Sequence, residues 1–488
     1  MSLSVTLSNL GPLRSADLDV ADLTLLTGEN NAGKTFFATV LHRILDAAPS
    51  TSPLPLRAMD KAPTQVRDWV ARVLDGPDDD ADESDTLDFD PTDETSEWAT
   101  QLATEMLESY GRAVREGISY AFGAEPSQLR RRTRSRRATD CWLRIRAHEP
   151  AWELKIRFDD DDVLVTPPDA REWLATALDP ERVAMGMSLR TYTRGSTARD
   201  TATAIRRYRF PFAPSMQSVL FNAWPRHAVH LPADRTGIMQ SHKVLAGGAA
   251  RQSAIAGIKP IQIETLSGTS ADFLAIVLEI LEMMPSRGNP RKSLNSLVGD
   301  FEQHLRASID VDQRGDGMEA IVATTPEGSF PMSRASSMLT ELAPLLLVLK
   351  APHLAVDQLT IDEPEAHLHP GMQVRVASFI AELVLLGIRV TVTTHSDFFV
   401  SQLKNMMRLH SLKAAGCKPK AGDLPTVAPS RVRSLQFRRE NGWCVARRPA
   451  VDGVDGIDES TFTQVMRAQY NTTADLISEL SEVSTVTR

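Results

Sequence analysis

The sequence predicts an α/β protein built around a parallel sheet, and three observations predict it. A compact β-type run, Leu23-Thr24-Leu25-Leu26-Thr27, leads through a glycine-bracketed loop into a segment whose apolar positions, Phe36, Phe37, Val40, Leu41, Ile44 and Leu45, have helical spacing. Two later apolar runs, 358–361 and 388–393, read as strands on either side of a helix expected over 371–386. The first of these strands changes character abruptly at its end, from Leu359-Thr360-Ile361 to Asp362-Glu363-Pro364. Strands that alternate with helices pack as a parallel sheet covered by those helices.

The remaining elements follow in chain order. Residues 3–9 alternate as a strand. The stretch 50–225 reads as an α+β subdomain inserted into the core: strands are expected at 141–147, 152–158 and 163–165, with Asp159 to Asp162 as a turn. Within it, 75–97 is dense in Asp and Glu and is expected to be a solvated loop, because like charges at that density resist packing. The run 130–137 is the opposite, Arg-Arg-Arg-Thr-Arg-Ser-Arg-Arg; it can neutralise the acidic loop or contact nucleic-acid phosphates. The core resumes near 226 with a strand ending in Pro232, helices over 270–285 and 294–306, a polar meander over 308–330 and a buried helix over 336–350. A β-pair (433–447), a Gly/Asp-rich turn (452–459) and a helical tail (460–481) follow. The expected division is therefore 1–49 and 226–410 for the two parts of the core, 50–225 for the insertion, and 411–488 for the C-terminal segment.

Composition narrows the class. A length of 488 residues accommodates two or three domains, and a net charge of −9 argues against a generally basic nucleic-acid coat. Cys141, Cys417 and Cys444 are too far apart for a zinc or disulfide framework, so a reducing cytoplasm is the expected setting. The N-terminus lacks the order of a signal peptide, and no apolar run approaches the ~20 residues of a membrane span.

The loop Gly28-Glu29-Asn30-Asn31-Ala32-Gly33-Lys34-Thr35 fits G-x-x-x-x-G-K-[ST] between a strand and a helix, the context this motif requires. Glycines let the backbone turn its N–H groups onto phosphate oxygens, and the helix adds the positive end of its dipole. Gly28 through Phe36 are therefore the expected nucleotide-contacting residues, with Lys34 a point charge for the β/γ-phosphates and Thr35 a Mg²⁺ ligand. Asp362, at the end of its strand, is expected to face that metal, and Glu363 to polarise the attacking water. His395, after the strand Val390-Thr391-Val392-Thr393, is placed to sense the γ-phosphate. ATP and Mg²⁺ are the implied ligands, and ATP hydrolysis the implied activity.

With these residues in hand, the chain resembles an ABC-type ATPase head of the group that contains SMC-like, RecF-like and OLD-type proteins. The resemblance rests on Leu7 to Leu13 with the glycine loop, on Pro232-Ala233-Asp234-Arg235-Thr236-Gly237, on Asp362-Glu363-Pro364-Glu365-Ala366-His367-Leu368-His369-Pro370, and on Thr394-His395-Ser396. It spans 1–40 and 226–410. It implies a P-loop NTPase with ABC-type head topology, a homodimer or higher oligomer, and a signature motif that meets the partner protomer's ATP. The matching segment is Ala335-Ser336-Ser337-Met338-Leu339-Thr340-Glu341, where Met338 stands in place of the usual glycine. Ser336 and Ser337 are expected either to bind phosphate in trans or simply to cap the helix. His367 and His369 could join Asp362, Glu363 and Glu365 in a metal cluster, although the resemblance favours interface and loop roles.

The resemblance further implies dimerisation that gates a separate effector protein, possibly a nuclease, in antiphage defence or DNA repair, with nucleic acid a possible ligand and no membrane partner. Residues 411–488 carry no spaced carboxylate cluster, so a nuclease in the same chain is not expected. The rival reading is a scaffold that holds ATP without hydrolysing it and sequesters its partner.

Overall fold

The computed structural model describes residues 3–47, 62–75, 89–129, 140–158, 162–179, 212–222, 224–241, 266–283, 292–313, 319–418, 424–453, 457, 469–474 and 476–477. In chain order the elements are β1 (Leu3–Leu10), β2 (Leu13–Asp19), β3 (Leu23–Gly28), α1 (Lys34–Asp46), α2 (Thr64–Asp75), α3 (Asp93–Phe122), β4 (Trp142–His148), β5 (Ala151–Arg157), β6 (Val163–Thr166), α4 (Ala170–Ala177), α5 (Phe212–Leu220), β7 (Ala228–Leu231), α6 (Gly268–Met283), α7 (Lys292–Leu305), β8 (Ser308–Gln313), β9 (Glu319–Thr325), β10 (Gly328–Pro331), α8 (Ser337–Lys350), β11 (Gln358–Asp362), α9 (Pro370–Leu385), β12 (Arg389–Thr393), α10 (Asp397–Ala414), β13 (Val432–Glu440) and β14 (Trp443–Arg447). The chain divides into two compact units, one of 1–20, 39–229 and 267–269, the other of 21–38, 230–266 and 270–488.

In the first unit β1 and β2 pair antiparallel, β4 joins the other edge of β1, and β5 and β6 extend the sheet. Strict alternation sets one face inward: Leu3, Val5 and Leu7 are buried alongside Leu143, Ile145, Leu154 and Ile156. On the other face Ser4 and Thr6 donate to Asp19 and Asp17 across the strand pair. The strands expected within 50–225 thus share their sheet with the first residues of the chain.

The 30-residue helix α3 packs on this unit. The sequence placed residues 93–97 in a solvated acidic loop; the helix begins there instead. Thr92 caps it, its hydroxyl accepting from the Thr95 N–H, and Asp93 and Glu94 sit in the first turn, where carboxylates favour the positive end of the helix dipole. Acidity that argues for solvation in isolation is a helix-start signal beside a capping threonine. Deeper in the helix, the buried Tyr110 hydroxyl donates to the Ile44 carbonyl (2.7 Å) and accepts from Trp224 Nε1 (3.0 Å), with Phe221 and Trp152 against the same rings. The arginine run 130–137, most of the acidic stretch (76–88) and most of the expected turn at 159–162 lie outside the described residues.

The second unit is built on the strand order β14-β13-β3-β12-β11-β7. β13, β3, β12 and β11 run parallel, and β14 returns antiparallel to β13. The β-pair expected at 433–447 is therefore part of this sheet. Leu23, Leu25, Leu26, Leu359, Ile361, Val390 and Val392 are buried, the near-continuous apolar pattern of strands covered on both faces. α8 runs through Pro344, and every residue from Leu339 to Leu349 is buried. Phe301 of α7 meets Phe379 of α9, with ring centroids 4.3 Å apart. The expected polar meander is a separate three-stranded sheet, β10-β9-β8, tied to α8 by Lys350, whose ammonium donates to the Ile309 carbonyl and to Glu302. Of the expected helical tail, 469–474 and 476–477 are described, and all of these residues are helical. Among the described residues no helix is long and apolar enough to cross a membrane.

Candidate functional site

The C-terminal ends of parallel strands are where open α/β sheets bind ligands. Here β12 and β11 end level with each other, two residues short of the end of β3: Leu26 is opposite Thr393, and Thr393 is opposite Asp362. The glycine loop leaves the first of these ends, the acidic turn leaves β11, and the segment Thr394-His395-Ser396 leaves β12. All three belong to the second unit.

Gly28 has φ +125°, and a Cβ there would lie 2.0 Å from the Phe437 carbonyl oxygen of β13. Only glycine lets the strand pass this close and still turn. Glu29 N–H donates to that same carbonyl (3.2 Å), so β13 holds the start of the loop. Asn31 and Gly33 also have positive φ, and Ala32 between them is fully buried. The Phe37 N–H returns to the Gly33 carbonyl (3.0 Å), so helical bonding starts there. Thr35 lies exposed on this first turn and Phe36 is half-buried.

Lys34 is buried, and its Nζ donates to the carbonyls of Gly28 (3.1 Å) and Glu29 (2.7 Å). Burial lowers its pKa to about 8, against the opposing pull of Glu363, Glu365, Asp362 and Glu29. The loop and the acidic turn, more than 300 residues apart in sequence, thus share one electrostatic site.

Asp362 is buried, and both its oxygens are engaged. Thr393 Oγ1 donates to Oδ1 (2.9 Å), and His230 Nε2 lies 3.0 Å from Oδ2. Each oxygen keeps a further lone pair. With Asp362 ionised, the Nε2–H tautomer of His230 is the donor.

Glu363 adopts φ +45°, a left-handed conformation in front of a proline. This is the turn by which two adjacent carboxylates leave the strand in different directions. Its N–H donates to the Thr393 carbonyl (3.0 Å), and its half-exposed carboxylate lies 3.8 Å from His395 Nε2. Burial, then the nearby Lys34 charge, lowers the pKa of His395, while Glu363 opposes them. His395 is therefore a neutral imidazole at neutral pH.

Glu365 binds the two segments together. Its Oε1 accepts from the Thr394 hydroxyl (2.7 Å), the His395 N–H (2.7 Å) and the Ser396 N–H (3.1 Å). Its Oε2 is buried without a hydrogen-bond partner. Burial raises its pKa, against the donors from Thr394 and His395.

The segment after β10 places Ser336 as the N-cap of α8, its Oγ accepting from the Leu339 N–H (3.4 Å). Ser336 and Ser337 are both exposed. His367 and His369 are exposed too, and His369 caps α9 through the Gly371 N–H. Among the described residues no group of three or more His, Cys, Asp or Glu side chains is arranged to hold a metal.

These residues suit a nucleoside triphosphate. A buried cation, an open helix start and a close-packed glycine turn stand opposite a cluster of carboxylates. Thr35 and Asp362 are the residues that would hold a Mg²⁺ ion. Sequence reasoning missed His230, Thr393 and the tie made by Glu365. The last had a weak signal, a third acid two residues beyond the pair; His230 had none beyond its place on a strand.

Residues 345–400 match the family model of an AAA ATPase domain, which covers β11, the acidic turn, β12 and His395. No curated protein matches the sequence. Among solved structures, the chain is similar to an SMC head bound to the C-terminal winged-helix domain of ScpA (12% identity, TM-score 0.39, covering 92% of this chain and 97% of that one). It is also similar to the SMC head domain of Thermotoga maritima (9%, 0.36, 92% and 100%). A third is an SMC head with an extended coiled coil, bound to the C-terminal domain of ScpA derived from Pyrococcus furiosus (12%, 0.36, 96% and 98%). The ATPase-domain match falls on the half of the site that carries the acidic turn.

Glu365 gives a direct test of how the turn is held. Glu365→Ala leaves one hydroxyl and two amide donors without an acceptor and is expected to cost about 2–4 kcal/mol in urea unfolding. Glu365→Gln keeps the acceptor oxygen and is expected to cost under about 1 kcal/mol. Equal losses for the two variants would contradict the acceptor role.

Proposed function

We propose that the chain binds Mg·ATP in the glycine loop and hydrolyses it, in a site completed by a second copy of the chain. The observation that supports this most directly is the convergence of Lys34, Asp362, Glu363 and His395 at the C-terminal ends of three parallel strands. Lys34 exchanges two loop carbonyls for phosphate oxygens. Thr35 and Asp362 would hold a Mg²⁺ ion, which would supply charge withdrawal from the phosphate. Asp362, with Thr393 and His230 fixing its two oxygens, has one orientation to offer the metal. Glu363 takes the proton of the attacking water, and its partial exposure leaves room for that water. His395, neutral at pH 7, donates from one ring nitrogen towards the γ-phosphate.

Ser336 and Ser337, exposed at a helix start, face outward and contact the phosphates of a second protomer. ATP then favours an associated state and hydrolysis releases it. Through that cycle the chain gates a separate effector protein, for which a nuclease in antiphage defence or DNA repair is the reading that the resemblance to SMC-like, RecF-like and OLD-type heads suggests.

Two measurements test this. Glu363→Gln removes the base and keeps the shape, so turnover is expected to fall about 10²- to 10⁴-fold. The ATP-bound form should then accumulate as a larger species by size-exclusion chromatography with light scattering. Equal, slow turnover in both proteins would support the non-hydrolysing scaffold instead. The second test uses Lys34, whose folded pKa of about 8 lies below the unfolded value of 10.5. Between these values the unfolded chain binds more protons, so stability without nucleotide should rise with pH across that window. Triphosphate restores the charge on Lys34, so ATP binding at about pH 8.5 should take up a fraction of a proton. Calorimetry in buffers of different ionisation enthalpy reads this directly; Lys34→Met should abolish it, and buffer-independent heats in the parent protein would contradict it.

A further inference from the structure

Arg235 is fully buried, and its guanidinium makes four hydrogen bonds, all to main-chain carbonyls, and one ion pair. Nε donates to the Glu341 carbonyl (3.3 Å). One terminal nitrogen donates to the carbonyls of Pro232 (3.0 Å) and Asp362. The other donates to the Glu363 carbonyl (2.9 Å) and forms an ion pair with Glu341 Oε1. Thr236 Oγ1 takes the second oxygen of Glu341. All these residues lie in the second unit.

This guanidinium grips the main chain of both carboxylates in the acidic turn at once. Glu363 is left-handed, a conformation that costs a non-glycine residue and persists only where its surroundings over-determine it. Arg235 supplies that restraint from one side, and the Thr393 carbonyl from the other. The Glu341 end of the grip is on α8, one helical turn after Ser337. Between them the helix is rigid: the Ser336 carbonyl accepts from both the N–H (3.0 Å) and the hydroxyl (2.9 Å) of Thr340. A rigid lever therefore runs from the exposed serines to the backbone of the candidate base. Fold stability alone gives little reason for it, because well-packed apolar residues often replace a buried ion pair at no cost.

We propose that Arg235 and Glu341 are positioning residues that hold Glu363 in its working orientation and couple it to the start of α8. Contact made at Ser336 and Ser337 then alters hydrolysis through this pair. The inference rests on the ATPase reading above, whose failure it can be told from. In a half-site without a partner the clamp is intact but unloaded; a phosphate against the serines pulls on α8, and Glu341 and Arg235 carry that to the carbonyls of Asp362 and Glu363. The carboxylate of Glu363 itself is not touched by Arg235, so nucleotide binding through Lys34 does not depend on the clamp.

The test is the double variant Arg235→Met/Glu341→Met, which removes both charges and keeps an apolar fill. It is expected to melt within a few degrees of the parent protein, to bind a fluorescent ATP analogue within about threefold, and to lose at least about tenfold in kcat at unchanged KM. A folded double variant with full kcat would overturn the clamp. If the double variant does not fold, Glu341→Gln decides the matter in a cycle with Ser337→Ala. Coupling predicts that the two losses in kcat are not multiplicative, and simple multiplication would overturn it. If the parent protein binds nucleotide without turning it over, the ATPase reading fails, and hydrogen exchange still judges the clamp. The Glu341→Gln variant should then speed exchange at the amides of Glu363 and Ala366, and unchanged rates would sink the idea.

Discussion

The register of β12 against both β3 and β11 is the constraint on which the site depends. Parallel pairing sets Leu26, Thr393 and Asp362 level, so that three loops emerge from one edge. A slip of one residue in β12 would turn Thr393 away from Asp362 and move the Thr394–Ser396 segment out of reach of Glu365. The register is strongly specified because Val390 and Val392 of β12 and Leu359 and Ile361 of β11 are buried. Apolar burial, which carries no chemistry, thus determines where each reactive group lies.

On that frame the site is a charge balance. One buried ammonium faces several carboxylates, and a second buried cation, Arg235, sits behind the acidic turn. Isolated, each charge would be costly to bury. Together, the groups make the turn rigid by exchanging hydrogen bonds with main chain as well as with each other. Glu365 accepts from the backbone after β12, Arg235 donates to the backbone after β11, and Lys34 donates to the backbone after β3. Each strand end is thereby tied by a side chain, while the half-exposed carboxylate of Glu363 stays available to a ligand.

Much of this was legible in the sequence, for identifiable reasons. The glycine loop is readable because its residue types are dictated by backbone geometry: Gly28 has no room for a Cβ. The acidic pair is readable because a sudden change from apolar to charged residues marks a strand leaving the core. The ties between them were not. His230, Arg235 and Glu365 act across long sequence separations through side-chain to main-chain bonds, and such bonds leave no periodic trace. The start of α3 was misread for a different reason: local charge density was weighed without the capping threonine that precedes it. The partnership of 142–166 with the first strand was hidden too, since antiparallel pairing between distant segments has no local signature.

The central claim is that each chain carries most of an ATP-hydrolysing site and that a second copy supplies the rest through the exposed serines of α8. It is tested most directly by the steady-state ATPase rate per protomer as a function of protein concentration. The rate per protomer is predicted to rise with concentration from a low basal value and then saturate as pairs form. A rate per protomer that is constant from nanomolar to micromolar protein, in a chain that stays monomeric with ATP bound, would contradict it.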